Sequence, residues 1–531
     1  MKLTWRSTGW MRGALLLSLL SIPAQAAVIE PELETSLRSR GAGEEISVIV
    51  TFQNTIDPQS FHEADRRQRR SQLLRTLKRE ADGLPTQVRR FAEERGANHV
   101  APLWAGHALA LSAQPELLRE LAALPGVESI RTDRVVRVFA GQRGGGTVQP
   151  LRSGLPSLRK PRLDPNRASP VVESRPRETV MQATPVSYAS TTTPEWNLAV
   201  VKGPDLWALG FKGAGVVVAG LDTGVDGEHP DLTAQYRGGA NSWYDPHGEH
   251  ATPADRDGHG THAMSLAVGR AGGGTAIGMA PDAQWVSVKM FNDAGFSRES
   301  VMHQSLQWVL DPDGDVSTDD APDVVNLSWA VATVNVCNRV FQDELNVLRA
   351  SGIAVVMSAG NSGPGASTSI SPANNPGQLS VGSVDSLFTV STFSSRGPSA
   401  CDGGLFPVLV APGETVLAAD LSFGGMPLYA TVAGTSFAAP HVAGAMALLM
   451  SAVPTATLPV LESALKASAV PVGTDGTPPQ AEPGMIDTLA AYRAVLAGVG
   501  SGGVKDREKP GAREGSERYG SRQALEDTHR P

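Results

Sequence analysis

The sequence predicts an α/β fold, a doubly wound parallel sheet, with a smaller α+β unit ahead of it. Two patterns carry that prediction. Between residues 216 and 384 five near-continuous apolar runs alternate with stretches of helical periodicity, and such runs suit strands covered on both faces of a parallel sheet. Between residues 46 and 139 short strands and helices follow one another closely, as in one small sheet carrying two helices. A third observation separates the two units. Residues 141 to 194 begin Gly-rich and continue dense in Pro, Ser, Arg and Thr without sustained periodicity, which reads as an exposed, disordered linker open to cleavage. At 531 residues the chain is too long for one ordinary domain.

Taken in order, residues 1 to 26 place Lys2, Arg6 and Arg12 before an apolar stretch from Gly13 to Ile22, then Ala24-Gln25-Ala26. This is the pattern of a secretory signal peptide cut after Ala26. The stretch is too short for a membrane anchor and no later segment has a run of about eighteen apolar residues, so no anchor is expected. In the segment 27 to 140, ISVIVTF (46 to 52) reads as a strand. The basic run RRQRR (66 to 70) then opens a helical pattern of Leu73, Leu77, Leu84, Val88 and Phe91, so its charges read as a solvated helix face. A strand LWAGHALALSA, a helix around Leu117, Leu118 and Leu121, and strands VESIRT and RVVRVF complete the unit.

From 195 to 498 the buried-strand runs are VVVAGLD (216 to 222), WVSVKMF (285 to 291), DVVNLSW (323 to 329), IAVVMSAG (353 to 360) and LSVGSV (379 to 384). Helical stretches lie between them, at Met302, Leu306, Val309 and Leu310 and at Phe341, Leu345 and Leu348. The final segment, 499 to 531, is charged and Gly-rich and is expected to be disordered. A net charge of -8 gives no basic surface for nucleic acid. Export permits a disulfide between the only two cysteines, Cys337 and Cys401; the alternative is two buried thiols.

Reactive groups in such a sheet gather at the carboxyl ends of the strands. Asp222 ends VVVAGLD, Asn361 follows IAVVMSAG, and His259 lies in DGHGTHAMSLAVG, where glycines precede a helix of small residues. Ser436, in AGTSFAAPHVAG, opens a run of small and apolar residues that reads as a helix buried all round. Pro440 is expected in the first turn of that helix, which puts Ser436 at its N-terminus, where free N–H groups and the dipole favour an anion. Singly, each residue has an ordinary reading: a turn aspartate, a loop amide, a capping histidine, an N-cap serine. Together they supply a complete chemistry. A serine hydroxyl needs a base, the imidazole needs a carboxylate to set its tautomer, and an oxyanion needs preorganised donors.

On AGLDTGVDGEHPDL, DGHGTHAMSLAVG, AGTSFAAPHVAG and SAGNSG, residues 195 to 495 resemble the subtilisin-like serine proteases, and the acidic run DPDGDVSTDDAPD is similar to their bacillopeptidase-like branch. The resemblance implies a subtilisin-like fold, with Ser436 as nucleophile, His259 as base and then acid, Asp222 as its orienting carboxylate, and Asn361 with the Ser436 N–H as oxyanion hole. It implies that Ser328, Trp329, Ala330, Ser358, Ala359 and Gly360 bind substrate, although the family often has Ser-Leu-Gly where this chain has Ser328-Trp329-Ala330. A shortened loop after Asn361 brings Ile370 toward the primary pocket, which then suits small or medium apolar residues before the cut. Residues 27 to 140 are similar to the family's propeptides, small ferredoxin-like units that assist folding and then inhibit. The implied protein is a monomeric, secreted or periplasmic precursor acting on proteins or peptides, with its own propeptide as inhibitor. His262 and His441 are expected to be structural.

No cofactor is required in this reading. Asp231, in HPDL, matches a position that binds calcium in many members, but the partner loop GRAGGGTA has glycines where side-chain oxygens are needed. The run from Asp311 starts like an EF-hand loop with Asp313 and Asp315, then has Val316 for glycine and Pro322 for the closing glutamate, and reads as a solvated acidic loop, with a looser structural calcium site as the alternative. A metal hydrolase using His247, His250, His259 and His262 is the rival enzyme reading, without an HExxH pattern to support it. A non-catalytic binding module is the other rival. Since the base must be neutral, activity is expected to rise through neutral pH.

Overall fold

The computed structural model describes residues 27–137, 171–172 and 194–500, apart from 42, 63–64, 273, 332 and 474–482. The signal-peptide reading of residues 1–26, most of the linker and the segment from 501 lie outside the described residues.

Seven parallel strands form the central sheet of the larger unit, in the spatial order Leu409–Pro412, Leu379–Val384, Ala354–Ser358, Val324–Leu327, Val217–Asp222, Gln284–Lys289 and Trp243–Tyr244. The inner strands are mostly apolar because both faces are covered. Val218, Val324 and Val356 pack on one face with the helices His259–Val268 and Thr435–Ala452. Ala219, Val325 and Val355 pack on the other face with Met302 and Leu306 of helix Glu299–Trp308 and Leu345 and Leu348 of helix Gln342–Ala350. This two-residue alternation makes the sheet doubly wound. Each of the five apolar runs read from the sequence coincides with one of these strands: 379 to 384 matches end for end, three runs contain theirs, and the strand of the run 285 to 291 starts one residue earlier, at Gln284, and stops at Lys289.

From Val217–Asp222 the chain first builds to one side of the sheet and then, with Val324–Leu327, to the other. Asp222 therefore ends the strand at the point where the winding reverses, beside a crevice. Thr435–Ala452 is the one described helix long and apolar enough to cross a membrane, and it runs through the core instead. It approaches its neighbour closely at Gly444, where a Cβ would sit 2.4 Å from the Met279 Cβ. Two edge strands, Leu409–Pro412 and Trp243–Tyr244, and an antiparallel hairpin of Glu414–Phe423 with Met426–Ala433 were not read from the sequence.

In the smaller unit a five-stranded sheet orders Val28–Ile29, Val127–Thr132, Ile46–Phe52, Ala108–Ala113 and Asn98–Leu103. The unit has four helices rather than two: Pro31–Ser39, Leu84–Glu94 and Pro115–Ala122 share the apolar core of this sheet, and Arg66–Ala81 turns its leucines to the larger unit. The periodicity from Leu73 to Phe91 spans two of them, because Asp82-Gly83 interrupts the pattern and Pro85 restarts it in a first turn. LWAGHALALSA is likewise split by a short turn at Trp104–Gly106. The strand Val135–Arg137 leaves this sheet and pairs antiparallel with Phe296–Arg298 of the larger unit. Val171–Val172 adds to its other edge, so the expected linker contains a strand. The last helix, Thr488–Gly500, runs two residues into the expected tail.

Candidate active site

The Asp222 carboxylate, at its strand tip, accepts from His259 Nδ1 at 2.7 Å and from the Thr223 N–H at 2.7 Å through the same oxygen, Oδ1. Both side chains are 6 % exposed, so the pair works in a medium far less polar than water. His259 opens its helix and is held there by residues the sequence reading passed over. Asp255 accepts from the N–H groups of Asp257, Gly258 and Thr261 and from the Thr261 hydroxyl. Burial by itself would push the Asp255 carboxyl up, but those four hydrogen bonds hold it below the usual carboxylate range. Thr223 Oγ1 accepts from the Gly260 N–H at 2.9 Å. The signal for Asp255 is an acidic residue shortly ahead of a helix start, three residues before the Gly258 cap, from where a carboxylate can still reach the free N–H groups of the first turn.

Ser436 is the second residue of helix Thr435–Ala452, and Pro440 the sixth, so the proline sits in the second turn and not the first. The reason it is tolerated is visible at Ser436. A residue at 440 with an N–H would bond the Ser436 carbonyl; here that carbonyl accepts from the Ser328 hydroxyl at 2.9 Å. Ser436 Oγ in turn reaches the Ser328 carbonyl at 3.2 Å, and Asn326 Nδ2 donates to Ser328 Oγ at 2.9 Å. Phe437, the next residue, brings its ring centroid to 5.5 Å from that of His259. The carboxylate and the imidazole therefore meet at the carboxyl end of the sheet, with the residue after Ser436 against the imidazole ring.

Asn361 is positioned by Thr435, whose N–H and hydroxyl donate to Asn361 Oδ1 at 2.8 and 2.9 Å. With the oxygen so anchored, the amide's donor end faces away from Thr435. Ser358, Ala359 and Gly360 lead into it as a buried wall. The main-chain groups there are engaged internally: Ala359 N–H with Val381 O, Gly360 N–H with Thr435 Oγ1, and Gly360 O with Ser395 N–H. A Cβ at Gly360, whose φ is +94°, would lie 2.6 Å from Ile370 Cγ2, so the fully buried Ile370 packs on the bare backbone of this wall. Trp329 is buried against Phe341, and Ala330 is half-buried at the rim. Cys337 and Cys401 are joined, with Cα atoms 4.7 Å apart.

The four histidines of the rival metal site do not converge. His247 bonds the Met290 carbonyl, His250 the Asp293 carboxylate, His259 Asp222 and His262 Asp420. His441 is fully buried between Asn197 and the Phe437 carbonyl. At Asp231, Oδ2 accepts from the Tyr429 phenol at 2.7 Å, and the facing loop offers glycines.

This is the fold of a serine endopeptidase of the subtilisin type. The chain belongs to the Subtilase family, whose sequence pattern matches residues 213–502. It is 29 % identical over 460 residues to Bacillopeptidase F of Bacillus subtilis (strain 168), covering 82 % of this chain and 29 % of that protein. It is 34 % identical over 264 residues to the Major intracellular serine protease of the same organism, covering 48 % of this chain and 74 % of the relative. To Subtilisin of Bacillus pumilus it is 32 % identical over 284 residues, covering 52 % of this chain and 92 % of the relative.

Proposed function

We propose that the protein is a secreted serine endopeptidase made as a precursor that processes itself. One observation carries the reading above the rest: the buried 2.7 Å bond between Asp222 and His259, beside the opening turn of the Ser436 helix. In the reaction Ser436 Oγ attacks the peptide carbonyl carbon and its proton passes to His259 Nε2. The tetrahedral oxyanion collapses, the C–N bond breaks, and the amine leaves with that proton, giving an acyl-enzyme. Water, deprotonated by the same imidazole, then releases the acid. Asp222 keeps the Nδ1–H tautomer and stabilises the imidazolium. Asn361 Nδ2 and the Ser436 N–H donate to the oxyanion, a role that fits the anchoring of Asn361 Oδ1 by Thr435.

Substrate lies extended along Ser328-Trp329-Ala330, bound mainly through its backbone. The wall of Ser358, Ala359 and Gly360 shapes the pocket by contact, and Ile370 limits its depth, favouring small or medium apolar residues before the cut. The N-terminal unit blocks the cleft, and cutting the linker separates it from the enzyme covalently. No cofactor enters the reaction.

The test is intact mass of the secreted wild type beside Ser436→Ala, with hydrolysis of a peptide library as the second readout. Loss of the N-terminal segment and cleavage of peptides by the wild type alone is the expected result. Identical processing and identical activity in both would overturn the reading.

A further inference from the structure

The catalytic reading leaves unexplained a densely charged contact among the described residues. Helix Arg66–Ala81 carries seven basic side chains and one acidic one, and the segment from Asp311 to Asp323 carries six aspartates and no basic residue. Expected as a solvated helix face and a solvated loop, the two instead lie against each other. Arg66 pairs with Asp323, Arg70 with Asp319 at 3.1 Å, and Lys78 with Asp311. Arg67 and Lys78 also donate to the carbonyls of Ser317 and Gly314. Arg70 is 3 % exposed and donates as well to the Ser351 carbonyl. Between these charges the helix presents Leu73, Leu74 and Leu77, all buried in the apolar cluster that holds Leu310, Val347 and Leu348 of the larger unit.

The position of the contact matters as much as its charge. Asp323 precedes the strand Val324–Leu327, and its second oxygen accepts from the N–H of Val217. Both are at the amino ends of the central strands, whereas Asp222 and the start of the Ser436 helix lie at the carboxyl ends.

We propose that the acidic loop 311–323 is a second docking surface whose occupant is the basic helix Arg66–Ala81, and that it keeps the N-terminal unit on the enzyme after the linker is cut. The proposal rests on the reading of that unit as an inhibitor. It makes release, and hence the end of latency, dependent on ionic strength: exposed and half-exposed pairs are screened as the Debye length falls from about 10 Å at 0.1 M salt to about 3 Å at 1 M. The apolar stripe sets the part of the affinity that salt leaves untouched.

The experiment uses the full chain as Ser436→Ala, with a recognition sequence for an added site-specific protease placed between residues 141 and 170. After nicking, dissociation of the two pieces is followed by size-exclusion with light scattering from about 0.05 M to about 1 M NaCl. The expected result is release at least about tenfold easier at high salt, with most of that dependence lost in Arg66→Gln/Arg70→Gln/Lys78→Gln. Should the triple variant not fold, Arg70→Glu is the second arm, expected to weaken binding and to be rescued by Asp319→Arg. Equal salt profiles in parent and variant, or no rescue by the exchanged pair, overturn the proposal. Because the chain carries no nucleophile, this result is independent of catalysis. A wild type that cleaves nothing would sink the peptidase reading and leave the docking result standing.

Discussion

Thr435 takes the Asn361 amide oxygen twice, so the nitrogen cannot exchange places with it without losing two hydrogen bonds. Such an amide is preorganised for an oxyanion and pays no reorientation as charge develops. Asn361→Ala is expected to lower kcat by about a hundredfold to a thousandfold with little change in KM, the loss found when a subtilisin's own side-chain donor is removed. Steady-state kinetics on one peptide checks it; a variant within about threefold of wild type would remove Asn361 from the reaction. The residue type and its place after a buried strand were legible in the sequence. Its orientation was not, since that depends on Thr435, which lies in the chain segment before Ser436 and is brought to it by the fold.

At the scale of elements, the Ser436 helix illustrates how a local rule is met by a distant partner. Pro440 costs the helix one donor, and the strand segment after Val324–Leu327 replaces it with the Ser328 hydroxyl. Ser328→Ala therefore leaves a buried carbonyl unsatisfied, and a destabilisation of about 1–3 kcal/mol is expected. Adding Pro440→Ala returns an N–H to that carbonyl, so the double variant should recover part of the loss. Urea denaturation of the four-member cycle in a Ser436→Ala background measures the coupling. Strictly additive losses would show that the two groups do not share the carbonyl. Sequence patterning foresaw a helix here and the serine at its start. It misplaced the proline because the rule that confines proline to the first turn assumes that no other group can supply the missing hydrogen bond.

For the whole molecule, His441 joins the start of the larger unit to its central helix. Its ring sits fully buried, with Nε2 toward Asn197 Nδ2 at 2.7 Å and Nδ1 donating to the Phe437 carbonyl at 2.9 Å. Burial pushes its pKa down from 6.5 to about 4, against a small opposing effect of the Phe437 bond. The unfolded chain therefore takes up this proton first as pH falls. Stability is intact above about pH 6.5 and is lost progressively toward pH 4, by about 3 kcal/mol at the lower end. Denaturation of Ser436→Ala with and without His441→Gln, at pH values across that window, should give the steeper acid loss to the chain that keeps His441. Parallel curves would mean that the ring is not the group responsible.

The sequence alone determined the periodicities, and with them the buried parallel strands, the helices between them and the four residues placed at element ends. These features are local: each depends on a run of side chains or on a turn within a few positions. What only the tertiary structure decided is which distant groups meet. It set Asp255 under the His259 helix, Thr435 on Asn361, Tyr429 on Asp231, and the basic helix on the acidic loop. Charge runs read one at a time look solvated, because water is the only partner a single segment can name. Complementarity between segments more than two hundred residues apart comes into being when the core brings them together.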